Sequence, residues 1–306
     1  MSEAEAQAAL LRALKARKYH FITPTPLTHA RVIARRRVAA DLRGALGWSL
    51  PFARDAIDAE ILELLERSGA LDVDGDLLKS RVRVSSMGDH LLLHSAYPTA
   101  QKDAVFFGPD TYRFAAFLQA ELPALGKRRR LIDVGCGSGA GAIVAAAIAK
   151  PESITFNDIN PRALSLSQVN AAVSEIPGEL SLVERSFIEH GEPLSADLII
   201  ANPPYIIDAA HRAYRDGGGM HGAEISLSWA KAAAAKLAPG GAFLLYTGSA
   251  IIDGEDRFKS ALHEAMPGFD IAYRELDPDV FGEELEREDY ADVERIAVVG
   301  AVAVKR

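Results

Sequence analysis

Three short stretches combine residue types and spacings that could do chemistry. The first is Leu131-Ile-Asp-Val-Gly-Cys-Gly-Ser-Gly139, an apolar run leading into three alternate glycines, followed by the small-residue segment Ala140 to Ala149. Strand, glycine turn and helix make the geometry in which a backbone comes close to a ligand and helix N-terminal N–H groups point at it. Gly135, Gly137 and Gly139 suit such a turn because a Cβ would obstruct both the tight bend and the ligand. Gly135 to Ala140 also fits the loose dinucleotide pattern G-x-G-x-x-G/A, a weak signal by itself. Asp133 bears on the ligand's charge. A carboxylate just ahead of the glycines repels a pyrophosphate and favours an ammonium or sulfonium cation.

The second stretch is Ile154-Thr-Phe-Asn-Asp158, an expected strand ending in an acid. An acid at the tip of the second strand can accept hydrogen bonds from both hydroxyls of a ribose, although a plain strand-end turn uses the same residue type. The third is Asn202-Pro-Pro-Tyr205, at the end of the expected strand Ala196 to Ala201. Two prolines donate no N–H and cannot continue a central strand, so the backbone leaves the sheet stiffly. The Asn202 amide and the Pro203 carbonyl then form a hydrogen-bonding pair, with the Tyr205 ring as a stacking face. Such a set suits the grip of a planar N–H₂ group.

The glycine stretch with Asp133 resembles motif I of the class I S-adenosylmethionine (SAM) dependent methyltransferases. Asn202-Pro-Pro-Tyr205 is similar to the N-P-P-Y signature of methyltransferases that modify amide or exocyclic amine nitrogens. These include the release-factor glutamine methyltransferases, adenine-N6 DNA methyltransferases and guanine-N2 rRNA methyltransferases. The resemblance covers residues ~105–306. It implies that Asp133, Gly135, Gly137 and Gly139 hold the methionine end of SAM and that Asp158 holds its ribose. It implies further that Asn202, Pro203 and Tyr205 are catalytic, with Asn202 also beside the cofactor. Ser186-Phe187 stands where many SAM enzymes carry an acid for the adenine amino group, leaving the Ser186 hydroxyl or the Phe187 backbone for that contact. Asp216-Gly-Gly-Gly219 with Gly222 resembles a D-G-G-G-x-x-G region of the glutamine methyltransferases. Phe106 to Tyr112 resembles their segment ahead of motif I, without its usual arginine and acid; a turn and helix cap explains Gly108-Pro-Asp-Thr111 equally well.

These residues need elements to hold them. Helices over 112–122, 140–149, 161–174, 222–237 and 254–265 alternate with strands over 131–134, 154–158, 180–184, 196–201, 242–247, 269–275 and 295–304. That alternation predicts an α/β fold with helices on both faces of a mostly parallel sheet. The class I resemblance implies seven strands in the Rossmann-like order 3-2-1-4-5-7-6, the seventh antiparallel, with the motifs at the carboxyl ends of strands one, two and four.

Ahead of this lies a different pattern. Helices are expected over 5–18, 28–46 (carrying Arg35-Arg-Arg37) and 54–67, then a β-hairpin of 81–84 and 91–94 around Met87-Gly-Asp89. Three helices and a hairpin suggest a winged-helix-like module. The chain is therefore read as residues 1–103, an N-terminal substrate-recognition domain, and 104–306, a SAM-binding methyltransferase domain. Residues 1–95 hold 14 Lys/Arg against 12 Asp/Glu, whereas the remaining 211 hold 20 against 30. An acidic catalytic half is a poor partner for bulk DNA. A structured protein or RNA acceptor docked through the N-terminal part stays open, while the arginine triplet reads more readily as a solvated helix face.

Nearly half the residues are hydrophobic (49%) and none of the apolar runs approaches the ~18–20 residues of a membrane span. The first residues lack the layout of a signal peptide. The single cysteine, Cys136, excludes an intrachain disulfide framework and points to a reducing cytoplasm; inside the glycine loop it reads as packing. No metal is expected. Asp72-Val-Asp-Gly-Asp76 hints at a calcium loop, but Arg83 stands where a bidentate Glu is required, and His90 and His94 lack further ligands. The leading expectation is methyl transfer from SAM to a planar nitrogen, foremost a protein glutamine amide of release-factor type. The alternatives are an exocyclic amine of an rRNA or other nucleic-acid base, and, from another class, a dinucleotide-dependent oxidoreductase or a non-catalytic nucleotide-binding module. Oligomeric state is not readable.

Overall fold

A computed structural model describes residues 1–99, 101–189, 195–208, 210, 212 and 214–306. Contacts divide the chain into two units: residues 1–113 with 137–143 and 161–176, and residues 114–136 with 144–160 and 177–306.

The first unit begins with α1 (Glu3–Ala16), opened by a capping box in which Ser2 and Glu5 serve each other's backbone N–H. The helix expected over 28–46 is instead two, α2 (Pro26–Ile33) and α3 (Leu42–Leu46). Two caps explain the break. Thr25 caps α2 with Pro26 at its first position, and Asp41 accepts from the Gly44 N–H at 2.7 Å to start α3 afresh. Arg35, Arg36 and Arg37 thus lie exposed between helices. Asp58 likewise caps α4 (Ala59–Arg67) and separates it from a single 3₁₀ turn at Arg54–Ala56.

The acid-rich run at 72–76 belongs to an extra hairpin of β1 (Leu71–Asp74) and β2 (Leu77–Ser80), with Gly75 at φ +62° in its turn. Asp72 pairs with Arg81 at 2.6 Å. The expected hairpin is present as β3 (Val82–Met87) and β4 (His90–Ser95). This part therefore has four helices and two hairpins.

The chain continues through α5 (Pro109–Leu125), β5 (Arg130–Val134), α6 (Ala140–Ala149), β6 (Ser153–Asp158) and α7 (Pro161–Ser174). In α5 the helix runs past Pro123 to Leu125. Gly108 donates to Thr111 Oγ1 at 3.2 Å while Thr111 N–H returns to the Gly108 carbonyl, a turn and cap at the helix start. Leu10, Leu11 and Leu14 of α1, Ile61 and Leu65 of α4, Leu91 and Leu93 of β4, and Ala163, Leu166 and Val169 of α7 share one hydrophobic core. By packing, α7 belongs with the N-terminal elements, so the contact boundary differs from a cut at 103/104.

The second unit holds the sheet, completed by β7 (Glu179–Glu184), β8 (Ala196–Ala201), α8 (Glu224–Lys236), β9 (Leu237–Ile252), the two-residue β10 (Glu255–Asp256), α9 (Arg257–Ala265), β11 (Phe269–Asp277) and β12 (Arg295–Lys305). Strand order is β7-β6-β5-β8-β9-β12-β11, with β10 paired to β9. The first five strands pair in parallel and β12 runs antiparallel to both neighbours. In chain order this is 3-2-1-4-5-7-6, as expected. The central strands are apolar on both faces because helices cover both. Ile132, Ile199, Phe243 and Val299 meet Ala230, Ala233, Phe258 and Leu262 of α8 and α9 in one core.

β9 is much longer than the expected 242–247. Pro239-Gly-Gly241 lies inside it, at the register shift between Ala196 and Leu198 on the neighbouring strand. A bulge is where a strand tolerates a residue that donates no N–H. Beyond Thr247, pairing with β12 and β10 carries β9 on to Ile252. Among the described residues no helix is long and apolar enough to cross a membrane.

Candidate cofactor and acceptor site

Strand register decides which motif residues meet. Val134 pairs in parallel with Asn157 on one side and with Ala201 on the other. The next residue of each strand, Gly135, Asp158 and Asn202, therefore emerges at the same edge of the sheet, with neighbouring strands about 4.8 Å apart. Three motifs scattered over the sequence thus converge at the carboxyl ends of β5, β6 and β8, where open α/β sheets bind ligands.

Each residue has a particular setting. Asp133 is buried, 2 % exposed, within β5. Gly135 has φ +62°, and a Cβ there would lie 2.5 Å from the Trp229 ring of α8. Its close neighbour is thus a protein side chain, in addition to any ligand the turn accommodates. Cys136 is buried and donates its backbone N–H to the Asn157 carbonyl at 3.1 Å, which agrees with a packing role. Asp158 accepts from the Asn160 N–H at 2.9 Å, so the chain's own turn orients its carboxylate. The Asn157 amide donates to the carbonyls of Val183 and Arg185 at 3.1 and 2.9 Å. That brings the segment carrying Ser186 to the same edge, since Asp158 pairs with Glu184. Ser186 Oγ accepts from the Ile188 N–H at 3.4 Å. Phe187 is buried, with Lys236 Nζ 5.1 Å from its ring centroid, so its ring is engaged in the core.

The second half of the glycine loop lies in the first unit. Gly137 and Gly139 have φ of +54° and +76°, a region open to glycine and strained for other residues. Ser167 of α7 donates to the Gly137 carbonyl at 3.0 Å, and Asn170 donates to the carbonyls of Ser138 and Leu93, both at 2.9 Å. Asn170 also accepts from the Leu93 N–H at 2.8 Å. Ser167 and Asn170 are fully buried. Sequence reasoning missed both, although two polar residues three apart on a face otherwise formed by Ala163, Leu166 and Val169 are a usable signal.

Asn202 is half-buried and Pro203 buried after the last residue of β8. Tyr205 is 6 % exposed, its ring edge-on to Phe281 at 5.8 Å. A Cβ at Gly248 of β9 would lie 2.3 Å from that ring. Gly248 is a third residue that sequence reasoning missed; a glycine inside an otherwise apolar strand marks such a close approach. Backbone bonds hold the following residue, with Ile206 donating to Arg215 at 3.3 Å and accepting from Gly217 at 2.9 Å. Asp208 receives two bonds from the Arg212 guanidinium, at 2.6 and 2.8 Å, which hold its carboxyl down at about 2. Among the described residues no group of three or more His, Cys, Asp or Glu is placed to hold a metal. His94 of β4 is instead sealed in the core, 2.7 Å from Ser85 Oγ. A separate cleft of about 200 Å³ in the first unit is lined by Lys15, Lys18, His20, Asp89 and His90 among others.

Residues 100–251 match a family described as the methyltransferase small domain. A release factor glutamine methyltransferase of Deinococcus radiodurans is 35% identical over 130 residues, 39% of this chain and 45% of that protein. A ribosomal protein L11 methyltransferase of Bordetella bronchiseptica is 31% identical over 170 residues, 51% of this chain and 52% of that protein. The chain spans about half the length of these relatives. Among solved structures, TYW2 of M. jannaschii in complex with AdoMet aligns with a TM-score of 0.51 at 12% identity, over 75% of this chain and 91% of that one, a likeness of fold alone. The matched residues, 100–251, carry all three motifs, so through this segment the chain is similar to the methyltransferase small domain.

Proposed function

We propose that the chain transfers the methyl group of SAM to a planar amide nitrogen, the side chain of a glutamine in an acceptor protein of release-factor type. The observation that carries this reading is the register that sets Gly135, Asp158 and Asn202 side by side. The site suits SAM: glycines at positive φ admit a close ligand, and Asp158 offers carboxylate oxygens to a ribose. Bound there, SAM supplies a methyl group on a sulfonium sulfur. Asp133, Gly135, Gly137 and Gly139 take its methionine end, and Ser186 with the Phe187 backbone takes the adenine edge.

An amide nitrogen is a poor nucleophile because its lone pair is conjugated with the carbonyl. The side-chain oxygen of Asn202 and the carbonyl of Pro203 accept hydrogen bonds from the acceptor N–H₂, which localises that lone pair towards the methyl carbon. Tyr205 closes one side of the acceptor group. Positioning in line supplies much of the rate, and no strong base is needed before transfer. The N–C bond forms as the C–S bond breaks, and the nitrogen then loses one proton to solvent.

Residues 1–103 serve as the acceptor-recognition part and 104–306 carry the methyl-transfer chemistry. The cleft lined by Lys15, Lys18, His20 and His90 supports recognition of an anionic feature of a macromolecule. A lone, buried cysteine fits a reducing cytoplasm. The test is transfer of labelled methyl from SAM into a cell lysate, followed by digestion. Label that survives RNase, is released by protease and resides on glutamine supports the reading. Label lost to RNase assigns the chemistry to a base amine of RNA instead, and NAD binding without SAM binding would return the site to a dinucleotide enzyme.

A further inference from the structure

The segment just beyond Tyr205 is gripped by side chains from the connection between β11 and β12. Ile207 donates its backbone N–H to Tyr290 Oη at 2.9 Å, and its carbonyl accepts from Arg287 Nη1. Both polar groups of one residue's backbone are therefore satisfied by two side chains of the same loop. Glu284 of that loop pairs with Arg215 and with Arg287, the latter at 3.1 Å. Asp292 meets His221 Nε2 at 3.0 Å. Phe281 faces the Tyr205 ring from a left-handed backbone at φ +55°.

An ordinary surface connection has no need of this construction. Tyr290 and Glu284 are 1 % and 6 % exposed, and a buried carboxylate is costly unless charged partners surround it. A bulky residue at positive φ adds strain that the surroundings must over-determine. The anchors meet Tyr205, Ile207, Arg215 and His221, which follow Asn202 and Pro203 in the chain.

We propose that Tyr290 and Arg287 are positioning residues for methyl transfer: by fixing Ile207 at both its N–H and its C=O they hold the Asn202–Tyr205 run against the acceptor nitrogen. The inference rests on the acceptor role given above to Asn202. It assigns to the β11–β12 connection, far from the motifs in sequence, the alignment of the acceptor while leaving the cofactor to β5 and β6.

Tyr290→Phe keeps the buried ring and removes only the hydroxyl. Arg287→Ala removes the bond to Ile207, and Arg287→Lys can restore it without restoring the second nitrogen's pair with Asp289. The assay is labelled methyl transfer from SAM into the RNase-treated protein fraction of a lysate, at varied acceptor concentration, beside calorimetric titration with SAM and thermal unfolding. Misplacement by a fraction of an ångström predicts a roughly 10–100-fold fall in kcat for Tyr290→Phe and Arg287→Ala. The SAM Kd should stay near wild type in both; Tm should hold in Tyr290→Phe and fall in Arg287→Ala, where buried Glu284 loses one of its two arginines, with Arg287→Lys in between. Wild-type kcat in both variants would overturn the clamp, as would a fall in Tyr290→Phe matched by equal loss of SAM affinity or of Tm. A wild-type protein that labels no protein would instead sink the acceptor reading on which the clamp rests.

Discussion

Two regions, one in each unit, bury charge in opposite ways. In the first, Arg83 is 4 % exposed and spends its guanidinium on neutral partners, the Gly47 carbonyl at 2.6 Å and His29 Nδ1 at 2.6 Å. Burial draws the Arg83 guanidinium down to about 10. His29 is pushed down to about 4 by burial first and by the Arg83 charge second. His90 and the sealed His94 are lowered for the same leading reason. In the second unit two buried carboxylates carry arginines, Asp208 on Arg212 and Glu284 between Arg215 and Arg287. Around Arg83 the first unit keeps its interior by holding imidazoles neutral, and around Asp208 and Glu284 the second does so by pairing ions. The first arrangement fits a packed platform; the second fits loops that must hold one conformation beside a reacting group.

The strongest challenge to this division is to remove most of one side. Deleting residues 1–103 strips Ala163, Leu166 and Val169 of α7 from the core they share with Leu10, Leu11 and Leu14, and takes Leu93 from Asn170. Each large apolar side chain returned to water costs about 1.5–3 kcal/mol, and Asn170 loses two buried bonds besides. The truncated chain should lose cooperative unfolding and SAM binding together, as read by circular dichroism and calorimetry. A soluble fragment that binds SAM with wild-type affinity would show that α7 needs no partner from the first hundred residues.

Asn202→Ala should lower methyl transfer by about 10²–10³-fold, the usual loss for one polar group that acts chiefly at the transition state. The SAM Kd should change little, because the proposed cofactor contacts lie at the ends of β5 and β6. An Asn202→Ala protein with normal turnover, or one blind to SAM, would move the acceptor site elsewhere.

The two units were also unequally legible. The sheet was read to within a residue or two along most strands because parallel strands covered on both faces are continuous apolar runs, as in Leu198-Ile-Ile200. The Gly135, Asp158 and Asn202 edge followed from strand ends, where motif and element boundary coincide. The first unit hid its breaks in caps: Asp41 and Asp58 look like ordinary surface acids until their side chains accept a helix N–H. What the site owes to long-range packing was not readable. Trp229 against Gly135, Tyr205 against Gly248 and Tyr290 on Ile207 join residues 94, 43 and 83 positions apart, and nothing local in the sequence announces such pairs.

The contrast in buried charge makes a prediction about pH. His29 folds with its pKa lowered from 6.5 to about 4, so below about 6.5 the unfolded chain binds a proton that the folded chain refuses. Stability supplied by the neutral imidazole is present above that pH and is lost as pH falls towards 4. The loss is on the order of 1–3 kcal/mol for one such group. For Asp208 the folded carboxyl is depressed to about 2 from 3.8, so its contribution persists until pH falls below about 4. Between pH 7 and 4.5, amide exchange should therefore quicken in β3 and β4 before it does around 205–221. Uniform protection across that range would remove the distinction, and His29→Gln should flatten the response of the first unit.

The smallest effect on stability is expected at Arg35, Arg36 and Arg37. All three are exposed in the connection between α2 and α3, and none is ion-paired among the described residues. Changing them together to Glu should leave Tm nearly unmoved, since exposed substitutions away from caps and cores stay within about 0.5 kcal/mol. Arg35 and Arg36 follow the end of α2 and bond its Val32 and Ile33 carbonyls, so apart from a small helix-end term what remains to the triplet is the field it projects. If the first unit meets the acceptor through positive charge, reversal should cut kcat/KM severalfold at low salt by slowing encounter, with kcat and SAM affinity preserved. That deficit should close as ionic strength rises, because a Debye length near 10 Å at 0.1 M shrinks to about 3 Å at 1 M and screens both proteins alike. Equal kcat/KM at every salt concentration would leave the triplet a solvated connection, and acceptor recognition would pass to the cleft of Lys15, Lys18, His20 and His90 or to the acceptor's fit around Asn202 alone.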